Sequence, residues 1–153
     1  VLEHGEAPAS FVESVHELET DRQRREAHAA SLRAAGPDGS PPIAHAVPRL
    51  PDGARLVRKP ILGDGEFVWG HVLTVAGRTD GTECSEFVTA VVALIDGSRT
   101  VADIVGRLAA GGADPDRIFP IVVNAVSILY ADGSIESLEP AGEPAAARER
   151  ARE

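Results

Sequence analysis

Residues 85–104 read Ser85-Glu86-Phe87-Val88-Thr89-Ala90-Val91-Val92-Ala93-Leu94-Ile95-Asp96-Gly97-Ser98-Arg99-Thr100-Val101-Ala102-Asp103-Ile104. From Phe87 to Ile95 only Thr89 is polar. That run predicts a helix with Ser85 as its N-cap, ended by Asp96-Gly97, where glycine supplies the positive φ of a helix C-terminus. A helix apolar almost all round is expected at the buried centre. Its β-branched residues are poor helix formers, so tertiary burial has to hold it. Thr100 and Asp103 then form a box-like cap for a second helix, from Thr100 to about Leu108, with Val101, Ile104, Val105 and Leu108 inward.

Downstream, Gly111-Gly112 stops the second helix, and Asp114-Pro115 (N-cap, then N1 proline) starts a third. Ile118, Val122, Ala125, Val126 and Leu129 fall on its inward face. Pro120 removes a backbone donor, which predicts either a separate first turn or a kink. Asp132-Gly133 closes this helix, and Ser134 to Leu138 reads as a last extended segment.

Upstream, three strands are expected. Arg55 to Lys59 is short, and Pro60 suits its end or an edge. Gly63-Asp64-Gly65 is a turn. Glu66 to Val75 is longer, with Phe67, Trp69 and His71 on one side and Val68, Gly70 and Val72 on the other. Gly70 marks a bulge or a close approach. After a turn at Gly77 to Gly81, Thr82 to Cys84 forms a very short third strand.

The segment 1–36 reads as a helical arm with a thin apolar face, to be packed on the main domain or on a partner. Val1 to Ala9 is a flexible entry, and Ser10 with Glu13 makes a capping box. Phe11, Val15 and Leu18 form a stripe that fails after Leu18, resumes weakly at Ala29 and Leu32, and ends at Gly36-Pro37. Five prolines, Pro37, Pro41, Pro42, Pro48 and Pro51, make 37–52 read as an extended linker and domain boundary. The main domain is then 53–138, and 139–153 is a charged tail. The chain has no methionine, even at position 1, and reads as a piece or processed form of something longer.

Net charge bounds the function. The chain carries a formal −9. Within Pro51–Leu138 there are 7 Lys+Arg against 12 Asp+Glu, a net of −5. Nucleic-acid binding needs clustered cations to displace phosphate counterions, so this balance argues against it. No apolar run approaches the length of a membrane span, so no membrane partner is expected. The single cysteine, Cys84, excludes an internal disulfide and a Cys-based zinc site, and fits a reducing cytoplasm.

No catalytic constellation emerges. Glu13-Ser14-Val15-His16 has the Glu-x-x-His spacing of di-iron helices but lacks the second copy such sites require. Gly63-Asp64-Gly65 is followed by no lysine and no helix, so it is a hairpin turn rather than a phosphate loop. Cys84 has no neighbouring histidine or basic cluster to activate it and reads as a packing residue. His71 reads as a surface or half-buried residue. Trp69 reads as core or sheet surface, with partner contact as the alternative. Arg22, Arg24 and Arg25 are balanced by adjacent acids as a solvated helix face.

From about Arg49 to Leu138 the order of elements resembles the PqqD-like family, the peptide chaperones of pyrroloquinoline quinone synthesis, and the wider class of RiPP recognition elements. The resemblance rests on the short strand Ala54-Arg55-Leu56-Val57-Arg58, the longer strand with Phe67-Val68-Trp69, and above all Val92 to Ile104. There an apolar run is followed by Asp-Gly, a basic residue, Thr-Val, an acid and Ile. The resemblance implies an α+β, winged-helix-like fold: three antiparallel strands followed by three helices, here with an extra N-terminal helix. It implies a non-catalytic module without cofactor or metal. Its partners would be the leader segment of a ribosomally synthesised precursor peptide and a modifying enzyme, such as a radical SAM enzyme, a methyltransferase or an iron-dependent oxygenase. The peptide would add a strand to the sheet edge at Thr82, Glu83 and Cys84, beside Arg117, Ile121, Asn124 and Ile128 on the outward side of the third helix. Periodicity alone also permits Ile121 and Ile128 in the core. Two other readings stay open: an accessory or dimerisation domain of a larger enzyme, and a winged-helix transcriptional regulator, which the acidic balance opposes.

Overall fold

The structure, a computed structural model, describes residues 9–34, 41–78 and 81–140, with side chains from residue 17 onward in the first helix. The elements are α1 (Ala9–Arg33), a 3-10 turn (Pro42–His45), β1 (Ala46–Arg49), β2 (Arg55–Gly63), β3 (Glu66–Thr74), β4 (Thr82–Cys84), α2 (Glu86–Leu94), α3 (Val101–Ala109), α4 (Pro115–Ala131) and β5 (Ser137–Pro140). Strands β2-β3-β4 form an antiparallel sheet in that order, and β1 pairs antiparallel with β5. The fold is α+β with a winged-helix-like arrangement of three strands and three helices.

Local chemistry sets the helix starts. Ser85 accepts from the Val88 N–H, and Asp114 from the Asp116 N–H with Pro115 at the first position. Thr100 and Asp103 make a reciprocal capping box. The Thr100 N–H and hydroxyl stabilise the charged Asp103 carboxylate and hold its pKa below the usual range. Pro120 lies inside α4 on its exposed side, and the helix runs unbroken from Pro115 to Ala131. No separate first turn forms.

The core lies elsewhere than helix hydropathy suggests. Only Val91 and Val92 of α2 are buried, whereas α4 buries Val122, Val123, Ala125, Val126, Ser127, Leu129 and Tyr130. Phe87 and Val88 are half-buried. α2 sits at the margin, with one side open, and α4 is the centre.

The expectation of an irregular linker fails over 42–49, while 50–52 are irregular. Ile43, Ala44, Ala46 and Val47 are buried, and Pro48 is among the fully buried side chains. The prolines do not prevent this. Pro42 opens a 3-10 turn, where its missing N–H would have had no partner, and Pro48 sits in a two-stranded ladder that tolerates an edge proline. β5 reaches Pro140, so the tail does not begin at 139.

Of the two places open to the arm, it takes the main domain. Ala29 and Leu32 enter the core. Arg25 Nη1 donates to the carbonyls of Tyr130 (3.1 Å) and Ile135 (3.0 Å), and its guanidinium lies 4.8 Å from the Tyr130 ring centroid. His28 Nε2 is 2.9 Å from the Leu138 carbonyl. These polar ties, invisible to a hydrophobic stripe, dock α1 on α4 and β5. Ser10 already lies within α1. The Glu13 and His16 side chains, the Gly36-Pro37 stop and the tail beyond Pro140 lie outside the described residues.

β2 runs on through Pro60 to Gly63, longer than the expected Arg55–Lys59. Asp64 and Gly65 carry φ of 50° and 81°, the two positive values a type I′ hairpin turn needs. Pairing is continuous past Gly70, so there is no bulge. A side chain at Gly70 would collide with Ile61, which makes it a close approach.

Candidate functional site

Hydrogen-bond parity follows from the turn. In a two-residue hairpin the flanking pair, here Gly63–Glu66, is hydrogen-bonded, and bonded pairs then alternate. Even-numbered residues of β3 therefore bond β2, and Phe67, Trp69, His71 and Leu73 point their backbone groups the other way. His71 and Leu73 meet Cys84 and Thr82 of β4. The N–H and C=O of Glu83 are left pointing outward, and among the described residues no strand pairs with β4 on that side. On the opposite edge the outward groups belong to Leu56, Arg58, Pro60 and Leu62. Pro60 has no N–H, so that edge is interrupted. The sheet thus has one blunted edge and one open edge.

Beside the open edge lies a cleft of about 340 Å³ between β4, α2 and α4. Thr82 and Glu83 form one wall, Phe87 and Val88 the floor toward α2, and Ile121, Asn124, Ile128 and Asp132 the α4 side. Ile121 and Ile128 are 53% and 57% exposed, which is unusual for large apolar side chains unless something covers them. No Lys or Arg lines the cleft, while Glu83 and Asp132 do.

Five of the residues expected at the site, Thr82, Glu83, Ile121, Asn124 and Ile128, therefore meet around one cavity. Cys84 and Arg117 do not line it. Cys84 packs against the core, and its Sγ donates to the Thr82 carbonyl at 3.4 Å. Burial pushes its thiol pKa up, a backbone hydrogen bond with Leu73 opposes this, and the nearby Asp132 charge adds to the rise. That is the reverse of what a nucleophile needs. Phe87 and Val88, which the apolar run places at the centre, pack against the core on one side and line the cleft on the other. The signal that could have placed them is that α2 has more apolar residues than one packed face can use.

A second, smaller cleft of about 240 Å³ lies on the other side of α4 against α1, sharing Asn124 and Ile128 and lined also by Arg22 and Arg33. A third feature is convex. Leu62, Phe67, Val68 and Trp69 at the hairpin tip are exposed, with the Arg58 guanidinium 5.1 Å from the Trp69 ring centroid. Among the described residues, no group of three or more His, Cys, Asp or Glu side chains converges as a metal site, and no helix is long and apolar enough to cross a membrane. No family model and no curated protein matches the chain.

Proposed function

We propose that this chain is a binding module for the leader segment of a ribosomally synthesised precursor peptide, which it presents to a modifying enzyme in the cytoplasm, in the manner of the PqqD-like proteins it resembles. The observation that carries the reading is the open edge of β4 beside a concave apolar cleft. An added strand would satisfy the outward N–H and C=O of Glu83 while its side chains cover Ile121 and Ile128. Covering the exposed remainder of two isoleucines is worth about 1 kcal/mol each. The modifying enzyme is of the radical SAM, methyltransferase or iron-dependent oxygenase type. Trp69 and its exposed neighbours favour a second protein surface, which also suits the alternative of an accessory domain without a peptide ligand.

The test is anisotropy of labelled leader peptides encoded beside this gene. Saturable binding is expected. Glu83→Pro removes the outward donor without breaking the β3 ladder, and should weaken binding at least about tenfold, the equivalent of one lost hydrogen bond. Ile121→Asp should do the same while leaving the melting temperature nearly unchanged. A leader that binds both variants as tightly as the parent rules out this cleft, and absence of binding across those leaders rules out the function.

A further inference from the structure

The same strand geometry prescribes the chemistry of the peptide, an inference that rests on the strand-addition reading above. Side chains alternate between the faces of a sheet. Leu73 of β3 is buried in the core and pairs with Thr82, and His71 pairs with Cys84. Thr82 and Cys84 therefore point to the helix side of the sheet. Glu83 points to the opposite face, where it is exposed and forms no ion pair with another described residue.

An antiparallel peptide strand on this edge meets Glu83 through one residue, whose backbone takes both the outward N–H and C=O, whereas a parallel strand bonds them through the two residues flanking the opposed one. Directly opposed residues share a face in either strand direction. That residue's side chain lies beside the Glu83 carboxylate, away from the cleft. Its two neighbours point to the helix side, into the cavity floored by Phe87, Val88, Ile121 and Ile128.

We propose that the site selects a peptide with the pattern apolar–basic–apolar: a Lys or Arg across from Glu83, flanked on both sides by large aliphatic or aromatic residues. The Glu83 carboxylate disfavours an acidic residue at the central position, and the cleft, lined by Asp132 and by no Lys or Arg, disfavours one at either flank. Cross-strand charge pairs at a solvated edge are modest. The expected preference is about two- to fivefold for Lys over Ala at that position, rising to roughly tenfold for Lys over Glu, and it shrinks with added salt.

The experiment is selection of a displayed random 12-residue peptide library on the immobilised chain, followed by affinity measurement on synthetic peptides that vary only the central residue. The parent should enrich the apolar–basic–apolar pattern. Glu83→Lys keeps the backbone donor and should invert the central preference to Asp or Glu while retaining the apolar flanks. Peptides that Glu83→Pro no longer binds, yet whose central residue is indifferent to charge in both parent and Glu83→Lys, overturn this inference and leave strand addition standing. Enrichment only of peptides that bind Glu83→Pro unchanged overturns both.

Discussion

Residues 42–49 and 62–69 have exchanged roles. The first, Pro42-Ile43-Ala44-His45-Ala46-Val47-Pro48-Arg49, has the composition of a linker, yet Ile43 and Ala46 have no exposed surface at all. The second, Leu62-Gly63-Asp64-Gly65-Glu66-Phe67-Val68-Trp69, holds two of the chain's six aromatic residues, yet Phe67 is 75% and Trp69 64% exposed. Hydropathy does not separate them; the supply of partners does. Residues 42–49 are sandwiched among α1, α3 and β5, and the ladder to β5 satisfies the β1 backbone. The hairpin reaches beyond β4, which pairs only with His71, Val72 and Leu73, and no other described element follows it outward. Proline content reports what a backbone cannot donate. It does not report what a neighbouring helix can cover.

The contrast is broken most directly at Ile43. Its side chain is fully buried and belongs to the main core, so Ile43→Ala should cost about 2–5 kcal/mol, the transfer term plus the cavity left behind. Equilibrium urea unfolding measures this. A loss below about 1 kcal/mol would return 42–49 to the status of a linker.

What could be read in advance follows the range of the interactions. Ser85, Thr100 and Asp114 cap their helices because a cap is settled within three residues of chain, and Asp64-Gly65 sets the hairpin register in the same local way. The composition of the cleft was partly legible, since Ile121, Asn124 and Ile128 share one helical face and Glu83 follows from an edge strand. What was not legible depends on contacts far apart in sequence. Pairing of β1 with β5 joins Ala46 to Pro140. Only that pairing and the docking of α1 turn a proline-rich segment into core. The same applies to α2, whose apolar circumference predicts a centre. The molecule gives that place to α4 and leaves Phe87 and Val88 for the cleft.

An intermediate effect is expected at Arg25, which holds α1 over this region. Its Nη1 donates to the carbonyl of Tyr130 in the last turn of α4 and to that of Ile135 beyond the helix, and a cation at this end also complements the helix dipole. Arg25→Ala should cost about 1–2 kcal/mol, and Arg25→Lys should recover only part of it because a single ammonium cannot stand at both the Nη1 position, which serves the two carbonyls, and the Nε position, which serves Asp21. Hydrogen exchange gives the sharper reading. Amides of β1 should lose protection in Arg25→Ala while those of β2 and β3 keep theirs. Uniform loss across both sheets would mean that α1 supports the whole fold rather than the 42–49 segment.

The smallest effect belongs to the hairpin tip, and it sharpens the contrast. Phe67 and Trp69 already stand in water, so replacing them removes little buried area, and substitutions away from packing features usually stay within about 0.5 kcal/mol. The double variant Phe67→Ser, Trp69→Ser forfeits the cation–π contact of Arg58 with Trp69, worth about 0.5–1 kcal/mol at an exposed site, and some β-propensity. Its unfolding free energy should therefore fall by no more than about 1 kcal/mol, well short of the cost at Ile43. Peptide affinity should not change, because the cleft is lined from β4, α2 and α4. The parent's tryptophan emission provides an internal check, since Trp69 is the sole reporter. It should lie near that of a solvated indole and shift to the blue only when something covers the hairpin. A blue-shifted parent that loses several kcal/mol in the double variant would show that the hairpin is covered in solution, and the two segments would then differ in composition alone.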